Sequence, residues 1–346
     1  MSPRPAQTAL RWVSDREPGI QRRRRGSAFA YLDADGRALR DPQQLARIRS
    51  LAIPPAYERV WICARDDGHL QATARDARGR KQYRYHPLWR AVREQHKFDH
   101  LLEFGLALPR LRAAVQRELS GPDEPTRTRV LAAVVCLLDA TCLRIGNAEY
   151  ARSNGSYGLS TLRARHVRLR GPALTLAFVG KSGVRHKVEI SDPRLARVVR
   201  SCRELPGQEL FRYLDDAGGV HVLGSGDVNA WLAEVAGTRV TAKDFRTWHA
   251  SVHALDLILA GCAVDAAPSR PTDVVAAVSH RLGNSAAVCR KAYIHPAVIA
   301  LGDALADPAR RAQLLARPWA GRAPTARGLA TPERRMLALL RDLANG

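Results

Sequence analysis

The residues of this 346-residue chain best suited to chemistry are cations and phenols, not acids or thiols. The densest group is Arg78-Gly79-Arg80-Lys81-Gln82-Tyr83-Arg84-Tyr85-His86. On a strand, Lys81, Tyr83 and Tyr85 share one face, and Gln82, Arg84 and His86 the other. A face combining cation, phenol and amide suits phosphate oxygens and base edges in a duplex groove. The competing reading is a solvated edge strand with both tyrosines in a core. Three other positions stand alone. Arg144 follows a long apolar run and precedes Ile145-Gly146-Asn147. An arginine at the end of a buried helix is costly unless paired or functional; a salt bridge at the helix end is the alternative. Arg246 lies in Thr241-Ala242-Lys243-Asp244-Phe245-Arg246-Thr247-Trp248-His249, early in a predicted helix. Positive charge there opposes the helix dipole. An anionic group is therefore expected nearby, whether Asp244, a distant carboxylate or a ligand. Tyr293 lies in Cys289-Arg290-Lys291-Ala292-Tyr293-Ile294-His295-Pro296, its phenol near a helix end among basic neighbours.

Other chemistries lack their residues. Gly180-Lys181-Ser182 invites comparison with a P-loop, but the glycine required five residues before Gly180 is Thr175. The lysine also sits in a predicted hairpin turn rather than at the start of a helix, so no nucleotide site is expected. Asp33-Ala34-Asp35-Gly36 lacks the distant glutamate of a calcium loop and reads as a turn. No His-Glu-x-x-His motif or paired carboxylate cluster suggests a metal. The six cysteines are scattered without a C-x-x-C pair, which speaks against zinc ribbons and disulfide scaffolds and for a reducing cytoplasm. The longest apolar run, Val130–Leu138, is far short of the ~20 residues of a membrane span, and no signal-peptide h-region opens the chain.

These side chains need elements to hold them. Length suggests two domains, or three. Lys and Arg number 55 against 33 Asp and Glu, a net charge of +22, so a polyanion is the first partner to consider. The excess is arginine; lysines are few and include Lys81, Lys181 and Lys243. Residues 1–95 carry +10 of that charge, and short apolar runs there alternate with turn signals such as Asp35-Gly36 and Asp67-Gly68. They predict a small β-rich domain with one helix near Pro42–Ser50. Residues 96–346 turn helical. Pro109 is expected to open a helix ending at Leu119, and Arg129–Leu143 to form a central, nearly apolar helix. Strands Leu174–Phe178 and Val184–Ile190 should flank Gly180–Gly183 as a β-hairpin. Helices are expected at about 192–203, 225–236, 241–260, 271–282 and 284–293, with two more near 296–316 and 331–344.

Taken together the blocks form a pattern that no single one carries. Lys81-Gln82-Tyr83-Arg84-Tyr85, Arg144-Ile145-Gly146-Asn147, Gly158-Leu159-Ser160-Thr161-Leu162, Gly180-Lys181-Ser182-Gly183, Thr241–Thr247 and Leu282-Gly283-Asn284-Ser285 leading to Tyr293 occur in order. In this the chain, from about Pro54 to Pro296, resembles the type IB DNA topoisomerases, specifically the compact poxvirus-like form found in bacteria. The resemblance implies an α+β protein, with a small β-rich N-terminal DNA-binding domain and a larger, mainly helical catalytic domain carrying a β-hairpin. It implies Tyr293 as the nucleophile that forms a 3′-phosphotyrosyl link. Arg144 and Arg246 would clamp the non-bridging oxygens, and Lys181 would be the general acid, assisted by Lys243. Asn284 stands where many members carry histidine. An amide donates a hydrogen bond but does not titrate near neutral pH, and donation is enough to stabilise a transition state.

On the same resemblance, Arg80, Lys81, Gln82, Tyr83, Arg84 and Tyr85 are DNA contacts, with Gln82, Tyr83 and Tyr85 in the major groove, and Asn147 and Tyr150 lie near the backbone. The expected partner is double-stranded DNA, gripped by a monomeric clamp in the bacterial cytoplasm at the nucleoid. One phosphodiester is exchanged for another, so no cofactor, ATP or metal is expected. Two rivals are a tyrosine recombinase, which usually has His-x-x-Arg where this chain has Lys243-x-x-Arg246, and a non-enzymatic basic DNA-binding protein.

Overall fold

Arg22-Arg23-Arg24-Arg25 lies on a β-strand in a computed structural model that describes residues 10–77, 79–90, 98–263, 270–321 and 326–345, the side chains of Tyr150, Ser153 and Ala263 excepted. The chain divides into two units, Met1–Lys97 and Phe98–Gly346. Arg78 and the side chain of Tyr150, both singled out above, lie outside the described residues.

In the first unit, β1 (Ile20–Arg25), β2 (Ala28–Leu32), β3 (Glu58–Ile62), β4 (Leu70–Arg75) and β5 (Lys81–Tyr85) form an antiparallel sheet in the order β2-β1-β3-β4-β5. Helix α1 (Pro42–Ser50) starts where the sequence predicts it: Asp41 accepts from the Gln43 N–H and Pro42 takes the first turn. Ile20, Ile48, Val60, Ile62, Ala72 and Ala74 make its core.

The second unit is a helical body with small sheets. Its core is built on α2 (His100–Leu119) and α3 (Arg127–Thr141), whose apolar residues from Val130 to Leu138 are almost all buried. Pro109 does not open a helix: it sits inside α2, which begins nine residues earlier. An interior proline costs about 3 kcal/mol. Burying Leu101, Phe104, Leu108 and Leu111 on one side returns about 2 kcal/mol each, so the helix runs on. After α3 come α4 (Ala148–Asn154), the antiparallel sheet of β6 (Val167–Arg170), β7 (Ala173–Val179) and β8 (Arg185–Ser191), then α5 (Pro193–Glu204). A hairpin of β9 (Arg212–Leu214) and β10 (Val220–Val222) leads to α6 (Ser225–Ala236), α7 (Ala242–Ala263), α8 (Pro271–Leu282) and α9 (Ala286–Ala292).

The expected helix over 296–316 is two: α10 (Pro296–Leu305) and α11 (Pro308–Leu315). Pro308 has no N–H to continue α10, and the Asp307 carboxylate accepts from the Ala309 N–H to start a new helix. The last helix, α12 (Thr331–Asn345), packs on α2 and α7. Its buried Glu333 accepts from Arg112 at 2.8 Å, Arg112 also donates to Asp139 at 2.7 Å, and His249 meets Asp139 at 2.8 Å. This network joins α2, α3, α7 and α12, the last of which follows Tyr293 by more than 35 residues. None of the described helices is long and apolar enough to cross a membrane.

Candidate active site

Arg144 is freed from its helix by a left-handed residue. Cys142 takes φ +56° and ends α3, so Arg144 stands in an irregular segment rather than on the helix. That segment lies against the turn Leu159–Thr161: the Leu159 N–H donates to the Arg144 carbonyl at 2.9 Å, and the Ser160 N–H to the Ile145 carbonyl at 2.7 Å. A Cβ on Gly158 would lie 2.6 Å from the Arg144 carbonyl oxygen and the Gly146 Cα, so only glycine permits this approach. The guanidinium donates to Asn284 Oδ1.

Arg246, on the second turn of α7, is 3% exposed. The anion expected beside it is not Asp244, whose carboxylate instead accepts from the Thr241 N–H and hydroxyl at the start of α7. Arg246 donates to the carbonyl of Cys142, where α3 ends, and at 3.0 Å to that of Leu282, the last residue of α8. Helix C-termini carry orphan carbonyls and partial negative charge. One buried cation therefore closes two of them and fixes both ends in space. Neither Arg144 nor Arg246 forms an ion pair among the described residues, and Arg246 Nε and Asn284 Nδ2 are buried there without a hydrogen-bond partner.

Tyr293 is the residue at which α9 stops. Its ring centre lies 5.0 Å from the Arg246 guanidinium carbon. Burial alone would push the phenol up; the charges of Arg246, Arg144 and Lys243 outweigh it, and the phenol stands below its usual value. Its backbone is tied to α7 by Ser251, buried five residues after Arg246: the Ser251 hydroxyl donates to the Tyr293 carbonyl and accepts from the His295 N–H. Sequence reading missed Ser251. A lone serine inside an apolar helix gives no signal until its partners are known.

Five of the six catalytic candidates thus share one neighbourhood. Arg144 touches Asn284, Arg246 flanks Tyr293, and Lys243 acts on the same phenol by its charge. Lys181 stands apart in kind, exposed at the tip of the β7–β8 hairpin. The Gly180 N–H closes that hairpin on the Val184 carbonyl at 2.7 Å, and Ser182 and Gly183 take φ of +63° and +78°. Asn147 is exposed and caps α4, accepting from the Glu149 N–H.

In the first unit, β5 is an edge strand. Its tyrosines are not core residues: Tyr83 and Tyr85 are 47% and 37% exposed and stack with centroids 6.1 Å apart. Lys81 shares their face, 5.5 Å from the Tyr83 ring, and pairs with Asp15. Gln82 is on the opposite face, donating with Arg80 to Asp76. Arg84 donates to the Ala52 carbonyl. Of these six, Lys81, Tyr83 and Tyr85 form one surface and the others are held elsewhere.

Comparison with known proteins accounts for both units. Residues 86–292 match the profile of the eukaryotic DNA topoisomerase I catalytic core, ending one residue before Tyr293, and residues 28–76 match that of the bacterial DNA topoisomerase IB N-terminal domain. The chain is 30% identical over 286 residues to DNA topoisomerase 1B of Acanthamoeba polyphaga mimivirus, across 80% of this chain and 85% of that one. It is 25% identical over 177 residues to DNA topoisomerase 1 of Mycosarcoma maydis, across 46% of this chain and 17% of that one. Among solved structures, the XerH site-specific recombinase bound to its difH substrate aligns over 61% of this chain and 52% of that one, at 13% identity and a TM-score of 0.34. On the strength of the catalytic-core profile and the viral relative, this chain belongs to the type IB DNA topoisomerases.

Proposed function

We propose that Tyr293 cleaves one strand of duplex DNA by attack on a phosphodiester, and that Arg144, Arg246, Asn284 and Lys181 stabilise that step. The phenol oxygen, having given its proton to solvent, bonds to phosphorus as the bond from phosphorus to O5′ breaks. The Lys181 ammonium delivers a proton to the leaving O5′, with Lys243 assisting. The product is a 3′-phosphotyrosyl ester and a free 5′-hydroxyl; resealing is the reverse. The free end rotates in between and releases supercoils of either sign.

The observation that carries this reading is the frame around Tyr293. Two guanidiniums without ion-pair partners among the described residues flank one phenol, and buried Arg246 Nε finds no acceptor among those residues. Buried polar groups are normally satisfied; a phosphate with its non-bridging oxygens is the partner that would satisfy these. Planar guanidinium forks match that geometry and stay charged. Losing one such preorganised donor typically costs ~3 kcal/mol of transition-state stabilisation. A phenol shifted down is a better nucleophile at neutral pH.

The β5 face with Lys81, Tyr83 and Tyr85 is the proposed DNA contact of the first unit, and Asn147 and Tyr150 lie by the backbone in the second. The two units together act as a monomeric clamp, at the bacterial nucleoid. Packing of α12 on α2 and α7 of its own unit supports the monomer. The test is relaxation of positively and negatively supercoiled plasmid in EDTA without nucleotide. The reading requires relaxation of both; a requirement for a metal or ATP overturns it.

A further inference from the structure

His186 has no part in the steps above, yet it stands at the junction they depend on. It lies on β8, five residues after Lys181, opposite Phe178 on β7. The two rings stack with centroids 5.0 Å apart and planes at 27°. Two glycines make room for the imidazole. A Cβ on Gly180 would come within 2.7 Å of its Cδ2 and Nε2, and a Cβ on Gly283 within 3.2 Å of its Cε1. Gly180 directly precedes Lys181. Gly283, at φ +61°, ends α8 and directly precedes Asn284. The half-buried ring therefore fills the space between the hairpin backbone and the turn that leads to Asn284 and Tyr293. Burial, and then the charges of Arg144 and Arg246, hold its pKa below that of a free imidazole, which keeps it a neutral spacer beside two cations.

We propose that His186 is a positioning residue: its ring wedges the Lys181 hairpin against the Gly283–Asn284 turn and so sets where the Lys181 ammonium meets the leaving oxygen. This rests on the role given to Lys181 above. Lys181, Ser182 and Gly183 are all exposed at the hairpin tip, so the tip takes its position from the strands beneath it. A misplacement of about 1 Å at a reacting group can slow a reaction ~10²-fold.

The experiment compares two duplexes cut at a site first mapped on this protein, one natural and one with sulfur replacing the 5′-oxygen at the scissile linkage. A leaving thiolate is a far weaker base than an alkoxide and needs no proton. His186→Ala should slow single-turnover cleavage of the natural strand ~10²-fold and lose most of that defect on the sulfur strand, as Lys181→Ala should. His186→Phe, which keeps a ring, should cleave the natural strand near the native rate. Gly180→Ala, whose new methyl would meet the imidazole, should behave as His186→Ala does. DNA affinity and thermal unfolding of each variant are measured alongside. Rescue of Lys181→Ala without rescue of His186→Ala overturns the proposal alone, as does a His186→Phe as slow as His186→Ala. Failure of sulfur to rescue Lys181→Ala overturns the role of Lys181 and the proposal with it.

Discussion

Ser251 holds Tyr293 to the helix that carries Arg246. Its hydroxyl donates to the Tyr293 carbonyl at 3.2 Å and accepts from the His295 N–H at 2.9 Å. Phenol and guanidinium thereby share one frame, so the 5.0 Å between the Arg246 guanidinium carbon and the Tyr293 ring is fixed by α7. Ser251→Ala removes both bonds and leaves two backbone groups unmet. It should lower stability by about 1–3 kcal/mol and slow single-turnover cleavage while leaving DNA affinity near native. Thermal unfolding and rapid-quench cleavage read the two effects separately; unchanged cleavage would show that Tyr293 is held by other contacts.

The phenol of Tyr293 is pushed up by burial and pulled further down by Arg246, Arg144 and Lys243. Its phenolate is therefore populated at lower pH than that of a free tyrosine, near pH 10, by the direction of that shift. Lys243→Gln removes one cation, which disfavours the phenolate and raises the pKa. The rise of cleavage rate with pH should then move to higher pH. NMR of Cζ-labelled tyrosine, with Tyr293→Phe to assign the signal, follows the phenol directly; a shift to lower pH would contradict the electrostatic account.

The network joining the C-terminal helix to the core should make the fold sensitive to acid. Burial raises the Asp139 carboxyl, but His249 and Arg112 outweigh it and bring it from 3.8 down to about 2. A carboxylate depressed by folding stabilises above its unfolded pKa, and that stability is lost as pH falls through the folded value. Between pH 4 and 2, Asp139 should release roughly 2 kcal/mol. Asp139→Asn should flatten that loss and, by leaving half-buried Arg112 short of one carboxylate, lower stability at neutral pH by about 1–3 kcal/mol. Denaturant unfolding at several pH values measures both; an Asp139→Asn protein with native acid sensitivity would place the effect elsewhere.

Two features of the first unit, the Lys81-Tyr83-Tyr85 face and the Arg22 side chain, should separate on mutation. Tyr83→Ala on the exposed β5 face should weaken DNA binding about tenfold, the scale of 1–3 kcal/mol for one good base contact. Arg22, by contrast, donates to the carbonyls of Ile53, Pro54 and Tyr57 and lies over Phe29. Arg22→Ala should lower the melting temperature of that unit while its DNA affinity, measured where it is folded, stays near native. Fluorescence anisotropy and calorimetry together test the pair, and the reverse pattern would exchange their roles.

Local signals in the sequence carry much of this architecture. Asp41-Pro42 marks the start of α1, Gly180–Gly183 the β7–β8 turn, and Gly283 the end of α8, because each has its own cap or left-handed residue. Where long-range packing decides, the sequence is mute or misleading. Pro109 reads as a helix start, yet its helix is held by residues buried against other elements. The Arg22–Arg25 run shows no role in the sequence, yet Arg22 ties three carbonyls together. Arg144, Arg246 and Tyr293 stand out as unusual cations and a phenol, but their convergence is a property of the fold. Ser251 and His186 leave no mark at all, since a hydroxyl and an imidazole acquire their meaning from what packs against them.

The central claim is that the Tyr293 phenol becomes covalently joined to DNA. Duplex carrying a 3′-phosphate-labelled cleavage site, mixed with the protein and quenched with denaturant, should yield a labelled adduct. Peptide mapping should place the label on Tyr293, and Tyr293→Phe should bind DNA yet yield none. An adduct on another residue, or one that persists in Tyr293→Phe, would contradict the account.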